Sequence, residues 1–258
     1  MNRFYRKFYL LCILFVLLGF KPTCSYSLSY LLVSESHFQK IKLNLQRREL
    51  GRNGLIDWNA SEDFASLGLM HATWGSEKTI KHGNTFSQFV KFASEHGYEL
   101  PNFLTVSLDN PWSSRKQFFA SKYSNDIRMV ELQKFLEQTT DLQVQFLIDR
   151  VYKCLNSFLL QFDSYDSEKE LLLNLISTSE GLLAVIDYIN FKGEGKLSDE
   201  SKWGLLNVLE FMKNFTDRSA LNSFIASAKM ILMQRHPKYQ IYAEGWNLRL
   251  EGYRSSRA

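Results

Sequence analysis

Residues 47–74 have the sequence RRELGRNGLIDWNASEDFASLGLMHATW, and this stretch differs from the chain on both sides of it. Within it, glycine, asparagine and aspartate interrupt short apolar pieces, a pattern typical of a small irregular sheet or a β-hairpin. Apolar side chains recur three to four residues apart in residues 36–50 before it and in residues 84–97 after it, which is the spacing of an amphipathic helix. The sequence therefore predicts a small β element at residues 51–74 between two helices.

From residue 127 the chain has helical periodicity almost to its end. One apolar stripe continues for about 35 residues, longer than an ordinary helix, so we expect a break near Thr139-Thr140-Asp141. Residues 99–125 have the composition of a loop, and Pro237 is expected to end the last helix. The other predicted helices lie at residues 169–177, 179–191, 199–214 and 218–235.

These elements predict a mainly α (α+β) fold in a single domain at residues 27–258, with a helical lobe at residues 127–236. The chain has 258 residues, of which 45% are hydrophobic, so it can bury a sizeable core. The same composition excludes the disordered and collagen-like classes.

Residues 1–26 have the order of regions found in a secretory signal peptide. Basic side chains precede an apolar run at residues 8–20, and Lys21-Pro22 and a small-residue stretch follow it. The run has 13 residues, whereas a membrane-spanning helix needs about 20. We therefore expect a periplasmic or secreted protein without stable membrane insertion after the leader is removed. An uncleaved anchor is the alternative, and lipidation at Cys24 is disfavoured by the residues before it.

The formal charge of +4 belongs to the leader. Four of the 31 basic residues lie before residue 27 and none of the 27 acidic residues does, so the remaining chain has no net charge. A nucleic-acid partner is therefore not expected. If cleavage follows Cys24, Cys154 is the one cysteine left, which excludes an internal disulfide. Cys154 falls on an apolar helical stripe, so we expect a buried, inert thiol.

Most conventional catalytic motifs do not occur in the sequence. It contains no GxSxG, HExxH, CxxC, P-loop or GxGxxG pattern, and its five histidines lack the spacing of zinc ligands. We therefore predict neither a cofactor nor a metal.

Glu49, at the end of the first predicted helix, is the candidate for chemistry. Cleavage of a glycosidic bond requires a carboxylic acid that stays protonated near neutral pH and donates to the leaving oxygen. Partial burial beside apolar groups raises the pKa of a glutamate, and Leu50, Ile56 and Trp58 are close to Glu49 in sequence. The alternative is that Glu49 is an ordinary solvated residue.

Two segments carry a family resemblance. Glu49 followed by a glycine-punctuated segment and Ser66-Leu67-Gly68-Leu69-Met70-His71 resembles the phage-type lysozymes, in which a helix-terminal Glu precedes a Thr-Ile-Gly-x-Gly-His strand. Residues 183–193 are similar to a later lysozyme helix that ends in a glycine turn. The chain also resembles a family of exported, lysozyme-like bacterial proteins, through Trp58-Asn59, residues 66–71 and residues 187–195. The resemblance spans residues 47–212.

The resemblance implies a role for several residues. Glu49 would be the general acid, and Ser66 would orient the attacking water. Either Asp57 or Asn59 falls at the position of the family's catalytic Asp. If it is Asn59, the second carboxylate is absent, and an oxygen of the substrate would replace water, as in lytic transglycosylases. Met70 stands where the family has a second glycine, and its side chain would crowd the strand or the cleft.

The predicted substrate-binding residues are Trp58, His71 and Asn190, although His71 also suits a core histidine and Asn190 a helix end. Aromatic side chains that can stack on sugar rings include Trp58, Trp74, Tyr98, Trp112 and Trp246. We expect a cleft between the β element and the helical lobe.

The predicted function is cleavage of the β-1,4 linkages of peptidoglycan, of the muramidase or the lytic transglycosylase type. The first alternative is a catalytically degenerate protein that binds glycan or an envelope or host protein. The others are a purely structural interaction protein and an enzyme for another polysaccharide such as chitosan.

Overall fold

The computed structural model describes residues 35–49, 54–59, 63–75, 84–160, 167–199, 203–215, 219–234 and 237–254. All of them belong to one compact unit, residues 32–258. The predicted signal peptide at residues 1–26 lies outside the described residues. Among those residues, no single helix combines the length and apolar composition of a membrane span. Lys169–Ile176 and Ser179–Lys192 reach that composition together, with a bend of 105° between them.

A small sheet follows the first described helix, and further helices make up most of the rest. The sheet strands are β1 (Ile56–Asn59), β2 (Phe64–Leu67) and β3 (Ala72–Trp74). The helices are α1 (Glu35–Glu49), α2 (Thr85–Glu95), α3 (Asn102–Val106), α4 (Arg115–Tyr123), α5 (Ile127–Gln138), α6 (Thr140–Leu159), α7 (Ser167–Ile176), α8 (Ser179–Lys192), α9 (Leu205–Phe211), α10 (Ala220–Met233) and α11 (Ala243–Glu251). Short 3₁₀ turns at Met212–Phe215 and Pro237–Tyr242 follow α9 and precede α11.

This architecture confirms the predicted mainly α fold with a small β element. The break between α5 and α6 falls at Thr139, as expected, where the hydroxyl donates to the carbonyl of Phe135 at 2.7 Å. Two expectations are wrong. Residues 99–125 contain α3 and α4 rather than only a loop. The helix before Pro237 does end ahead of it, at Met233, but it is not the last, because Pro237 opens a 3₁₀ turn that leads into α11. Proline is tolerated there because the first turn of a helix needs no intrahelical N–H bond.

The sheet is an antiparallel meander in the order β1-β2-β3. Asp57 is paired with Ser66, which is paired with Thr73, so these three side chains share one face. The opposite face carries apolar side chains that are buried against the helices: Ile56, Trp58, Ala65, Leu67, Ala72 and Trp74. One face therefore belongs to the core, and the other carries mainly polar groups, with Phe64 beside Asn59 as an apolar exception.

Gln143 on α6 attaches the sheet to the helices. Its side chain is fully buried, and its Oε1 accepts a hydrogen bond from the backbone N–H of Leu69 at 2.8 Å. The turn after β2 approaches this side chain closely, since Gly68 has φ +72° and a Cβ there would lie 2.4 Å from Gln143 Oε1. Glycine satisfies both the positive φ and the lack of space.

The C-terminal end of α8 is held in place by two contacts. Asp187, buried on α8, accepts hydrogen bonds from Arg249 at 2.8 and 2.9 Å and from the Tyr253 hydroxyl at 2.6 Å, which attaches α11. The turn after α8 packs directly on the start of α9, where a Cβ at Gly204 would lie 2.1 Å from the Gly195 nitrogen. This close approach positions Lys192 and Glu194 beside the sheet.

Candidate functional site

A cleft of about 470 Å³ lies between the polar face of the sheet and the end of α8, with α11 along its side. Its walls come from elements distant in sequence. The described lining residues are Asn59, Phe64, Ser66, Met70, His71, Thr73, Thr85, Arg150, Ile189, Asn190, Phe191, Lys192, Gly193, Glu194, Trp203, Tyr242, Trp246 and Arg249. The volume is within the range of small-molecule sites, about 300–1,000 Å³.

The sheet wall carries a hydrogen-bonded serine and histidine. Ser66 Oγ lies 2.8 Å from His71 Nδ1 across the turn between β2 and β3. His71 has φ +45°, a conformation uncommon for residues other than glycine, and its side chain is exposed. The contact fixes the orientation of the Ser66 hydroxyl, which keeps lone-pair capacity for a further hydrogen bond in the cleft.

The helical wall contains a lysine surrounded by aromatic rings. Lys192 Nζ lies 4.0 Å from the ring centroid of Trp246, 4.1 Å from that of Phe191 and 4.4 Å from that of Trp203. Arg249 adds a second cation, 4.5 Å from the Phe191 centroid. These ring faces attract cations, so the cluster holds the end of α8, the Trp203 segment and α11 together.

The one carboxylate among the described lining residues is Glu194. Its Oε1 accepts hydrogen bonds from Arg150 Nε at 2.8 Å and Nη2 at 2.6 Å. This charge-assisted pair joins α6 to the turn after α8. Glu194 is therefore the partner of Arg150 in an ion pair, and its carboxylate does not have the protonated form that a general acid needs.

Asn190 is unusual among the polar residues of the cleft. Both its Nδ2 and its Oδ1 are buried, and neither has a hydrogen-bond partner within the described residues. The residue as a whole is half-buried and lines the cleft. Buried amides in folded proteins are nearly always hydrogen-bonded, so this one requires an explanation.

The cleft brings together four of the residues singled out from the sequence: Asn59, Ser66, His71 and Asn190. Asp57 lies on the same face of the sheet, opposite Ser66, but is not among the lining residues. Glu49 ends α1, as expected, and its side chain lies outside the described residues. The expected cleft between the β element and the helical lobe is present.

Trp58 is a correction to the predicted substrate-binding set. Strand alternation places it on the core face of the sheet, opposite to Asn59, and its side chain is 5% exposed. The indole N–H donates to Asp63 Oδ1 at 3.1 Å, and the ring packs 5.2 Å from Phe118. Trp74 and Trp112 are likewise buried in the core, so none of the three can stack on a ligand in the cleft.

His71 is also not the core histidine that we considered, because its side chain is exposed at the cleft. Of the proposed stacking residues, Trp246 lines the cleft and Tyr98 is exposed outside its described lining.

Sequence reasoning missed the cluster around Lys192. Phe191 and Lys192 are adjacent in sequence, but nothing local indicates that Trp203 and Trp246 pack against them.

Cys154 is buried on α6, as expected. Burial raises the pKa of its thiol to about 12, the charge of Glu194 adds to the effect, and Arg150 opposes it. The thiolate is therefore not populated near neutral pH, so Cys154 is not a nucleophile. In the described parts of the chain, no three histidine, cysteine, aspartate or glutamate side chains form a group that could hold a metal ion.

Comparisons with protein-family models, with curated proteins and with solved structures found no match to this chain.

Proposed function

We propose that this protein binds a β-1,4-linked glycan of the peptidoglycan type in the cleft and cleaves it, with Glu49 as the general acid. The observation that carries the proposal is that one cleft collects Asn59, Ser66, His71 and Asn190. The resemblance of the sequence motifs assigns these residues to the same chemistry.

The two walls of the cleft suit a sugar. The sheet wall offers hydroxyl, imidazole and amide groups, which hydrogen-bond to hydroxyls. The opposite wall includes the rings of Trp203, Tyr242 and Trp246, of which Tyr242 is the most exposed, and aromatic faces pack on the apolar faces of pyranose rings. A concave site with apolar surface and a few convergent polar groups is the usual form of a ligand pocket.

In the proposed reaction, Glu49 donates a proton to the leaving glycosidic oxygen. Ser66, oriented by His71, accepts a hydrogen bond from the water that attacks the anomeric carbon. The proton that this water loses passes to the Glu49 carboxylate, which restores the acid. In this proposal Asp57, the carboxylate on the same sheet face as Ser66, stabilises the positive charge that develops. If Asn59 holds that position instead, an oxygen of the substrate serves as the nucleophile. The leader at residues 1–26 would bring the enzyme to the periplasm or outside the cell, where this substrate is found.

The second candidate is a protein that binds glycan, or an envelope or host protein, without cleaving. Met70 favours it, because this side chain lines the cleft where the resembled motif has glycine. The pairing of Glu194 with Arg150 favours it too, since no other carboxylate belongs to the described lining.

The experiment compares wild type, Glu49→Gln and Glu95→Gln on purified cell walls, measuring released glycan ends and binding to the insoluble polymer. Glu95 also ends a helix, α2, and is exposed, so it is the matched control. We expect Glu49→Gln to bind like wild type with cleavage reduced by at least about 100-fold, the size of a general-acid contribution. Cleavage at the wild-type rate would refute the assignment of Glu49. Binding without cleavage by the wild type would establish the second candidate, and absence of binding would refute both.

A further inference from the structure

The junction of α4 and α5 exposes three large apolar side chains that are close together in sequence. Tyr123, Ile127 and Val130 are 79%, 68% and 47% exposed, respectively. Ile127 and Val130 lie one turn apart on α5, on the side opposite to its buried residues, which are Met129, Leu132, Phe135 and Leu136. Single exposed apolar residues are ordinary, whereas a cluster of them marks an interaction surface.

The same junction is basic. Residues 110–130 contain four cations and one acidic residue, Asp126, whose carboxylate is paired with Arg128 at 2.7 Å. The other cations all lie on α4: Arg115, Lys116 and Lys122. This segment therefore has a net charge of +3, whereas the chain after residue 26 has none. The excess of positive charge is local to this part of the molecule.

The stability of α4 does not explain two of these cations. The helix begins at Arg115 after the N-cap Ser114, and its first turn contains Arg115 and Lys116 but no acidic side chain. The N-terminal end of a helix carries a partial positive charge, so cations there reduce the stability of the helix. Both side chains are exposed. Their positions fit contact with an anionic partner better than stabilisation of the fold.

Aromatic rings connect the cations with the exposed apolar groups. The Arg115 guanidinium lies 4.9 Å from the ring centroid of Phe119, and Lys122 Nζ lies 5.9 Å from the same centroid. Phe119 in turn stacks on Tyr123, with the ring centroids 5.9 Å apart. Basic and aromatic side chains next to each other on one helix are typical of helices that lie at the surface of a membrane with anionic lipids.

This part of the molecule lies away from the cleft. Phe118 of α4 packs 5.2 Å from Trp58, on the core face of the sheet, and Lys122 Nζ donates to the Ile56 carbonyl at 2.8 Å. The cleft is on the opposite face of the sheet, and no residue of α4 or α5 belongs to its described lining. A partner bound to α4 therefore leaves the cleft open.

We propose that the α4–α5 surface, formed by α4 and residues 127–130, binds an anionic lipid bilayer as a peripheral contact. The cations meet the negatively charged head groups, and the exposed apolar side chains enter the boundary between head groups and acyl chains. A bilayer of this kind offers partners to both sets of groups, whereas a soluble polyanion offers partners to the cations alone. The inference goes beyond the proposed function and does not rest on it.

Vesicle sedimentation at about 0.1 M salt tests the proposal, with lipid itself as the probe. The anionic vesicles contain phosphatidylglycerol and phosphatidylcholine in equal parts, and the neutral vesicles contain phosphatidylcholine alone. The full chain and the chain without residues 1–26 are both used, because an apolar leader can bind lipid and the compact unit at residues 32–258 stays whole without it. We expect the shortened chain to bind anionic vesicles at least about ten-fold more tightly than neutral ones.

Two double variants test the charges. Arg115→Gln with Lys116→Gln should weaken binding to anionic vesicles about 30-fold, the combined effect of two cations near such a membrane. The control, Lys91→Gln with Lys213→Gln, removes the same charge from exposed lysines on other elements and should weaken binding less than about two-fold. Because the replaced cations of α4 oppose its helix dipole, the first double variant should unfold at the wild-type temperature or above.

Two serine variants test the apolar contact. Ile127→Ser should weaken binding about ten-fold, whereas Leu160→Ser, at an exposed leucine directly after α6, should leave it unchanged. Equal binding to the two kinds of vesicle, or equal effects of a variant and its control, would overturn the inference. Binding of soluble polyglutamate as tightly as anionic vesicles, self-association that Ile127→Ser abolishes, or a clearly lower unfolding midpoint of the first double variant would overturn it as well. These results would assign the surface to polyanions, to a second copy of the chain, or to the fold.

Discussion

Replacing Gln143 with leucine tests how the cleft wall is held to the helices. The buried Gln143 side chain accepts from the Leu69 N–H at 2.8 Å and donates from Nε2 to the Leu136 carbonyl at 2.8 Å and to Thr139 Oγ1 at 3.2 Å. Leucine has a similar volume, so the substitution removes the three hydrogen bonds while leaving little empty space. The turn that contains Leu69 also carries Met70 and therefore forms part of the cleft wall.

The magnitude follows from the groups left without partners. Leu69 is fully buried, so its N–H loses a partner in a site where water does not replace it. One unsatisfied buried donor costs about 1–3 kcal/mol, and two weakened acceptors add about 1 kcal/mol. The greater hydrophobicity of leucine offsets a part of this cost. We expect the free energy of unfolding to fall by about 1–3 kcal/mol, or the midpoint by roughly 2–12 °C in a chain of this size.

Urea and thermal unfolding measure this loss, with Gln145→Leu as the matched control. Gln145 lies on the same helix and is exposed, so its replacement should change stability by less than about 0.5 kcal/mol. Hydrogen exchange provides a local readout, because the Leu69 amide should exchange faster in Gln143→Leu than global unfolding alone predicts. Equal stability of the two variants, together with unchanged exchange at Leu69, would refute the assignment of Gln143 as the anchor of the sheet.

Two further predictions concern Cys154 and Lys192. Burial raises the pKa of the Cys154 thiol from 9.0 to about 12, so the unfolded chain loses this proton first as pH rises. The contribution of Cys154 to the free energy of unfolding is therefore complete below pH 9 and is lost toward pH 12, up to about 4 kcal/mol. Cys154→Ala should show a shallower fall in urea midpoint over this window than the wild type. Parallel curves for the two proteins would contradict the prediction. Lys192→Met removes the cation between the Trp203 and Trp246 rings, so it should lower the free energy of unfolding by about 1–2 kcal/mol and alter tryptophan fluorescence. The control is Lys153→Met, at an exposed ion pair, which should cost less than about 0.5 kcal/mol. Equal losses would argue against the aromatic cluster.

Local sequence patterns predicted the helices in which the buried side chains recur at the helical spacing of three to four residues. The α5–α6 break was predictable because Thr139 interrupts a stripe whose period is otherwise unbroken. α4 was missed because Phe118 is its one buried side chain, which is too little to form a stripe. α11 was missed because its docking depends on Arg249 reaching the buried Asp187, a partner 62 residues away.

The candidate site was predictable in part for the same reason. Ser66 and His71 were identified because they belong to one short motif that resembles the lysozyme strand, and their contact spans only five residues within one strand and one turn. The sequence could not show which face of β1 enters the core, and therefore Trp58 was assigned to the cleft although Asn59 is the residue that reaches it.

The sequence by itself determined the small sheet among helices, the helices with a complete apolar stripe and the short motif that forms one wall of the cleft. Each of these depends on residues within one or two turns or strands, where spacing dictates which side chains share a face. Only the tertiary structure decided the opposite wall, where Lys192 meets Trp203 and Trp246 and the Asn190 amide lies without partners. Such contacts arise when distant segments pack on a common core, and no periodicity within either segment records them.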